Sequence, residues 1–405
     1  MTNYIISMED KKMLKCVINI CLVAVFCSRA IGAHASDFLL ESEINARITY
    51  DDNVSNTVVN EESSSIYTIT PKIKLNYHSD NWESAMNAHV AATSYSDKYK
   101  DHLDGHLDFE TAYKNNRSIY SIMGGYDKYS NLAAEDNLIG LSTEQIDTEK
   151  LTLAPEYTHL LTERASISLA YSYSDVTQSK NLGQYLPYET QSAIGEVGYK
   201  LSQKSDLSLV LMAMDYTSEN NIVDYQFLSS KIGIAHRFSE MITGKLFIGA
   251  NTTDIATRSS QSFVFFGSTV TGTQAVESSE AGEILEASID AKWIEVSASR
   301  DTVSNSYGGL DQTDKLHTKL RMQVTPLIGI TLSLDRVKVD EVNDNVLDYS
   351  RTYTKIVPAM NFSVAHNLKL RAEYIFTKSE YNNLSQGQRD RSKFAVNLTY
   401  NFPSI

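Results

Sequence analysis

Apolar and polar side chains alternate with a period of two residues along most of this chain, and the C-terminal stretch SKFAVNLTYNFPSI (392–405) shows the pattern most strictly. Successive side chains of a β-strand point to opposite faces. One face of this strand is therefore large and apolar, and the other is mostly polar or small. Such a strand belongs either to a soluble sheet or to a wall between lipid and water. The large apolar positions are Phe394, Val396, Leu398, Tyr400 and Phe402.

The same alternation recurs in about eighteen segments of roughly nine to thirteen residues. In HLDGHLDFETAY (102–113), Leu103, Leu107 and Phe109 share one face, while histidines and aspartates share the other. The connections between segments are alternately short and long. The predicted short turns are 78–81, 114–117, 161–165, 201–206, 239–241, 290–293, 325–327 and 365–367, and the predicted long loops are 51–64, 127–147, 175–189, 217–226, 253–280, 301–313, 338–349 and 378–390.

A soluble β-sandwich, the alternative, has no reason to alternate short and long connections, whereas an outer-membrane barrel has short periplasmic turns and long extracellular loops. A closed barrel also gives every backbone group in hydrocarbon a partner and leaves no sheet edge. The sequence therefore predicts an all-β fold, a transmembrane antiparallel up-and-down β-barrel of about 18 strands, with 16 as the fallback. Aromatic residues beside the short turns are expected to form the periplasmic girdle; they are Tyr77, Trp82, Tyr113, Tyr199, Phe238, Trp293, Phe362 and Phe402.

Three prolines, Pro71, Pro155 and Pro358, lie inside predicted strands that run toward short turns. Proline has no N–H for the ladder and is usually confined to sheet edges or bulges. Since a closed barrel has no edge, local bulges or wall irregularities are expected at these positions.

The N-terminal segment has the organisation of a secretory signal peptide. Three lysines precede a short apolar run from Cys16 to Cys27, and Ala33-His34-Ala35 fits the rule for cleavage after Ala35. Residues 1–35 are thus expected to be a signal peptide and residues 36–405 the barrel, placed in the outer membrane of a Gram-negative bacterium. All three cysteines lie in the signal segment, so the mature chain is expected to have no disulfide.

The charge balance restricts the partners. The chain has 36 basic and 50 acidic residues, a formal net charge of −14, which disfavours nucleic acid. The expected partners of a barrel are outer-membrane lipid and lipopolysaccharide, and the barrel assembly machinery. The terminal aromatic strand from Phe394 to Phe402 resembles the sorting signal that this machinery reads.

The polar face of the predicted strands is strongly charged with both signs, which indicates a water-filled lumen. Barrels of sixteen to eighteen strands are wide enough for an aqueous channel. The loop 253–280 contains the apolar tract SFVFFGSTV, which either folds into the pore, contacts a partner or packs on itself. The residues predicted to line the pore are Glu41, Glu43, Arg47, Lys72, Lys74, His89, Asp104, His106, Asp108, Lys319, Arg321, Lys369, Arg371 and Glu373.

Catalytic and cofactor motifs do not stand out: the sequence lacks GxSxG, HExxH, CxxC and a phosphate-binding glycine loop. No enzyme, cofactor or metal is therefore expected. If Trp82 opposes Tyr113, then His89 opposes His106, which would make either a proton-linked or metal site or simply a polar lining. The acidic stretch 51–53 is either a calcium-binding loop or solvated.

Three stretches resemble the β-barrel porins of exopolysaccharide gene clusters, especially the Vibrio-type biofilm polysaccharide barrels. They are RITYDDNVSN (47–56), TITPKIKLNY (68–77) and RDRSKFAVNLTYNF (389–402). The resemblance implies a passive conduit that exports a polysaccharide together with a periplasmic polysaccharide export protein. The alternatives are a general or oligosaccharide-specific diffusion porin, and a structural or adhesive barrel with a plugged pore.

Overall fold

The computed structural model describes residues 38–54, 61–96, 99, 101–130, 146–179, 187–219, 223–265, 268–304, 310–341, 350–381 and 388–404. The predicted signal peptide and its cleavage site lie outside these residues. The described part of the chain contains no helix long and apolar enough to cross a membrane.

Eighteen strands make up the fold, in agreement with the higher of the two predicted strand counts. They are β1 (Phe38–Asp51), β2 (Ser64–His78), β3 (Trp82–Tyr95), β4 (His102–Lys114), β5 (Ser118–Ser130), β6 (Asp147–Leu160), β7 (Ala165–Gln178), β8 (Tyr188–Ser202), β9 (Ser205–Ser218), β10 (Val223–Ser239), β11 (Ile242–Phe265), β12 (Ser268–Ala291), β13 (Ile294–Ser304), β14 (Leu310–Thr325), β15 (Ile328–Glu341), β16 (Ser350–Ala365), β17 (Leu368–Tyr381) and β18 (Gln388–Asn401).

The sheet closes on itself as an antiparallel barrel. Each strand pairs with its sequence neighbours, and β18 pairs with β1 from Glu43–Asn401 to Asp51–Lys393. A path that follows the paired residues from strand to strand once around the barrel returns to β1 about 22 residues away from the residue at which it began. With this stagger, the strands tilt by about 40° and the backbone radius is about 18 Å.

The two faces of the wall differ as the alternation predicts. Large apolar side chains stay exposed on one face, including Ile48 at 57%, Leu211 at 52% and Phe394 at 51%. The alternate, mainly polar positions are more covered, as expected on the concave side of a barrel. For example, Thr49 is buried between the exposed Ile48 and Tyr50. The apolar face is thus the outer surface, and the polar face lines the interior.

Short turns join the strands at one end of the barrel. The turn at 292–293 between β12 and β13 lies within the predicted 290–293. The ladders also contain register shifts beside four of these turns, for example between Arg237 and Ser239. Both the first residue of β1 and the last of β18 lie at this end, which an even number of strands requires.

The prediction of a loop at 253–280 is wrong for most of these residues. Strands β11 and β12 continue through it to Phe265 and Ser268, with backbone pairing from Ile242–Ala291 to Phe265–Ser268. The reason is that a ribbon outside the membrane has water on both faces, so it needs no apolar alternation. The backbone of the apolar tract belongs to the end of this ribbon, where Phe263 pairs with Val270. Residues 266–267 lie outside the described residues.

At the prolines the wall is irregular, as expected, and of the two predicted forms the structure shows interrupted ladders rather than bulges. The β2–β3 register passes from Ile69–Ala92 to Lys72–His89 without a shift, omitting Thr70 and Pro71. Pro155 and Pro358 are omitted in the same way from the ladders with β7 and β17. Each proline still faces a partner on its other side, Pro71 opposite Ile44 for example. Because the missing N–H interrupts one ladder only, no extra residue is needed.

Aromatic side chains gather on the outer face at the end with the short turns. Ring centroids lie 4.7 Å apart for Phe38–Tyr77 and 5.1 Å apart for Trp82–Tyr113. Tyr120 continues this row, 6.4 Å from the Tyr113 ring. The row corresponds to the girdle expected at a membrane interface.

Candidate channel lining

The inner face carries ion pairs within strands, between neighbouring strands and across one strand, and several predicted lining residues take part in them. Glu43 of β1 opposes Lys72 of β2 and lies 3.4 Å from its Nζ. On the other side of β1, Arg47 reaches across β18 to Glu373 of β17, at 2.8 Å. Arg371 holds the same carboxylate through its Nε, also at 2.8 Å. Glu43 and Lys72 thus form a neutral pair, whereas Glu373 is shared by two arginines.

His106 lies at the centre of a polar cluster on β3 to β5. Trp82 opposes Tyr113 and His89 opposes His106, so the predicted register is confirmed. The two imidazole centroids are 4.8 Å apart. His106 contacts Asp127 through Nδ1 and Asp108 through Nε2, the latter at 2.6 Å.

The side chains of this histidine cluster are held by hydrogen bonds to one another. The part of the chain that the structure describes contains no group of three or more histidine, cysteine, aspartate or glutamate side chains placed to hold a metal ion. The arrangement is a hydrogen-bonded polar wall, in which Asp108 also accepts a bond from the Asn87 amide at 2.7 Å. Asp104 lies at the same wall and accepts a hydrogen bond from the backbone N–H of Ser130 at 2.9 Å.

The remaining predicted residues are spread around the barrel. Glu41 opposes Lys74 in the β1–β2 register. Arg321 of β14 pairs with Glu295 of β13, and Lys319 opposes that glutamate in the register. Lys369 of β17 is exposed on the inner face. The fourteen residues thus share one face but do not converge on a single point.

Sequence reasoning missed a buried ion pair of the inner wall, between Asp51 and the C-terminal strand. Arg391 Nε and Nη2 donate to the Asp51 carboxylate at 3.0 and 2.6 Å, and Lys393 Nζ lies 3.6 Å away. The backbone N–H of Ser392 donates to Asp52 at 2.7 Å. The stretch 51–53 thus clamps β18, and the side chains of Asp51 and Asn53 are fully buried. Its signal in the sequence is the alternation of Arg389, Arg391 and Lys393, which continues the inner face of β18.

Positive charge is concentrated on three consecutive strands, β16 to β18. Among their described residues, Glu373 is the one acidic side chain at an inner-face position. We call the basic inner-face residues of these strands the basic sector: Arg351, Lys355, Lys369, Arg371, Arg389, Arg391 and Lys393. On β12 and β13 the inner face is acidic instead, with Glu280, Glu286, Asp290, Glu295 and Asp301.

An apolar cluster interrupts the polar inner face on β9 to β11. It consists of Tyr216, Tyr225, Phe227 and Ile255, all at most 6% exposed. The Tyr216 and Tyr225 rings stack at 4.5 Å with an angle of 9° between their planes. The sequence did not reveal this cluster because LSLVLMAMDY has apolar residues at both parities.

No family model matches this chain, and no curated protein matches it. Solved structures do match over nearly the whole length. Pseudomonas aeruginosa OpdQ is 10% identical, with a TM-score of 0.50 over 91% of this chain and 100% of that one. P. aeruginosa OccK2 (OpdF) is 9% identical, with 0.49 over 90% and 98%. Acinetobacter baumannii OccAB4 is 7% identical, with 0.48 over 92% and 99%.

These proteins are outer-membrane porins, and the likeness to OpdQ shows the fold. This chain has the fold of an outer-membrane porin, a closed 18-strand antiparallel barrel. The outer-membrane barrel part of the expected resemblance is thereby confirmed. Membership of the polysaccharide-export family is not confirmed.

Proposed function

We propose that the protein is an outer-membrane diffusion channel for hydrophilic solutes. The observation that carries this proposal is the polar inner face of a barrel of eighteen strands, with charged residues on most strands around the interior. A barrel of this size leaves an aqueous channel between its walls. The exposed apolar outer face places the barrel in the membrane, and the likeness to outer-membrane porins supports this location.

The chemistry of the lining explains how such a channel works. A solute that enters the lumen exchanges its water for hydrogen bonds with carboxylates, guanidinium groups and hydroxyls. At paired charges such as Glu43–Lys72 the opposite signs compensate each other locally, so a solute is held only weakly there. The basic sector faces the other inner walls and would set a preference among charged solutes.

Reconstitution in planar lipid bilayers tests the proposal. The mature barrel is expected to produce stepwise conductance, and liposomes that contain it are expected to swell in small sugars at rates that fall with sugar size. A folded barrel without conductance would contradict the proposal and favour the structural or adhesive barrel with a plugged pore. Folding is checked independently by the shift of the unheated band on a denaturing gel.

Export of an exopolysaccharide is the second candidate, because RITYDDNVSN and TITPKIKLNY resemble stretches of export barrels. In that case a hydrated sugar chain slides through the lumen, driven by synthesis and by a periplasmic polysaccharide export protein. Deletion of the gene would then abolish surface polysaccharide and leave small-solute uptake intact. Normal surface polysaccharide together with slower solute uptake would favour the diffusion channel.

A further inference from the structure

Two arginine side chains of the basic sector lie against the ring of Tyr381, near the end of the barrel opposite the short turns. Arg351 of β16 is directly opposite Tyr381 of β17 in the register. Its guanidinium carbon is 5.8 Å from the ring centroid, and that of Arg389 on β18 is 5.0 Å from the same centroid. The ring is thus a common contact of two cationic groups, and we call the three residues the arginine–tyrosine cluster.

The cluster is buried in the wall. Arg351 is 7% exposed, and Tyr381 and Arg389 are buried as well. Arginine is almost never buried to this extent without an anionic partner. The neighbouring Arg391 follows this rule, because its guanidinium is bonded to the carboxylate of Asp51.

Arg351 departs from the rule. Within the part of the chain that the structure describes, no carboxylate forms an ion pair with Arg351 and no acceptor receives a hydrogen bond from it; its Nε is buried without a partner. The contact with Tyr381 is a cation–π contact, which gives the five guanidinium N–H groups no acceptor. On the other side, the residue opposite Arg351 is Val339 of β15. A buried charge left in this way is costly, so the side chain is set up to receive an anion.

The acidic residues of the adjoining wall are engaged elsewhere. Asp51 holds both Arg391 and Lys393. Glu373 opposes Ala359, eight positions along β16 from Arg351, which corresponds to roughly 26 Å of strand. It is held there by Arg47 and Arg371. The positive charge of the arginine–tyrosine cluster is therefore not compensated by these carboxylates.

We infer that the arginine–tyrosine cluster binds the phosphate group of a solute in the lumen. Arg351 donates N–H groups to the phosphate oxygens, which match the planar fork of a guanidinium. Arg389, on the same ring, supplies a second positive charge. A phosphate monoester carries about −1.5 to −2 charges at pH 7, so it suits two cations better than a single carboxylate does. The inference rests on the proposed function, because the solute reaches the cluster through the lumen, and it adds the preferred class of solute.

The test is isothermal titration calorimetry on the folded mature barrel in detergent, at about 0.1 M salt, where charges on the wall are only partly screened. Three ligands share one type of sugar ring and differ in charge. Glucose 6-phosphate is a dianion, glucuronate is a monoanion and glucose is neutral. We expect saturable binding of glucose 6-phosphate, at least severalfold weaker binding of glucuronate, and no measurable binding of glucose.

Matched variants separate the cluster from the rest of the barrel. Arg351→Met removes the charge and keeps a long side chain, whereas Arg351→Lys keeps the charge and loses the fork. Arg389→Met removes the second cation. Arg336→Met is the control, because Arg336 is exposed on the outer face of β15, opposite Leu316. Each variant must show the folded band on a denaturing gel before binding is compared.

Affinity for glucose 6-phosphate should fall about tenfold or more in Arg351→Met, as expected for the loss of a charge-assisted hydrogen bond. It should fall less in Arg351→Lys and in Arg389→Met, and it should not change in Arg336→Met. If Arg351→Met does not fold, the comparison of Arg351→Lys and Arg389→Met with the control decides. Absence of binding by the wild type, equal affinity of the cluster variants and the control, or glucuronate binding as tight as glucose 6-phosphate would overturn the inference.

Failure of this inference is distinguishable from failure of the diffusion channel, because binding is measured without a membrane. Stepwise conductance in a lipid bilayer without calorimetric binding of glucose 6-phosphate rejects the phosphate site alone. Binding of glucose 6-phosphate by a folded barrel that does not conduct rejects the channel and supports the site.

Discussion

Arg391, in the last strand, forms a buried two-bond ion pair with Asp51, at the end of the first strand. The two residues are 340 positions apart in sequence, and the pair lies where the barrel closes. Lys393 and the Asp52–Ser392 hydrogen bond support the same junction. Closure thus depends on side chains of the inner wall as well as on the β1–β18 ladder.

Breaking this pair is expected to destabilise the barrel strongly. Asp51→Asn leaves the Arg391 guanidinium buried without its carboxylate, which typically costs about 3–5 kcal/mol. The measurement is the temperature at which the folded band is lost on a denaturing gel. Lys338→Ala is the control, since it removes an outer-face pair with Asp340 that is partly exposed and worth about 1 kcal/mol or less. Equal effects of the two changes would show that the junction does not depend on the buried pair.

Phe402 is expected to matter for assembly more than for the stability of the finished barrel. Its backbone N–H donates to Ser42 O at 2.9 Å, and its ring packs edge-on against Tyr400 at 5.0 Å. Phe402→Ala keeps the backbone bond but removes the aromatic end of the terminal strand. We expect less folded protein in the outer membrane and a nearly unchanged unfolding temperature, measured by fractionation and by gel shift. Phe38→Ala, at the same rim on β1, should have a smaller effect on the folded amount.

Charge reversal in the basic sector should change ion selectivity. Lys369 is exposed on the inner face, so Lys369→Glu should raise the permeability of cations relative to anions. The change should be larger at 0.1 M than at 1 M salt, because the screening length falls from about 10 Å to about 3 Å. The measurement is the zero-current potential across a bilayer under a KCl gradient. The matched reversal Lys378→Glu, on the outer face of the same strand, should leave this potential unchanged.

Removing the imidazole between Asp108 and Asp127 should weaken the wall formed by β4 and β5. His106→Ala leaves two neighbouring carboxylates without their shared partner, with an expected loss of about 1–3 kcal/mol. His106→Lys supplies a donor and a positive charge between the two carboxylates and should restore part of the stability. Both variants are compared by unfolding temperature. His236→Ala serves as the control, because His236 makes one bond, at 2.8 Å to Ser205, on the outer face. A lysine variant no better than the alanine variant would show that a donor between Asp108 and Asp127 is not what stabilises this wall.

The alternation of the strands was sufficient to predict the barrel, eighteen as the preferred strand number, and the face of the residues in the clearly alternating segments. One strand register was also predicted: if Trp82 lies opposite Tyr113, then His89 lies opposite His106. Near the middle of the wall, lipid on one side and water on the other impose a period of two on the side chains. The local sequence is therefore enough to assign residues to a face there. The lining residues from Glu41 to Glu373 could be assigned to a face for the same reason.

Contacts between distant strands and structure outside the membrane depended on the tertiary arrangement. The Asp51–Arg391 clamp follows from the stagger of about 22 residues at closure, which no single segment encodes. The β11–β12 ribbon lies where both faces meet water, so apolar alternation no longer constrains the chain there. Local periodicity determined the wall, whereas the global stagger and the loss of the membrane constraint decided its closure and the strand pairing beyond the membrane.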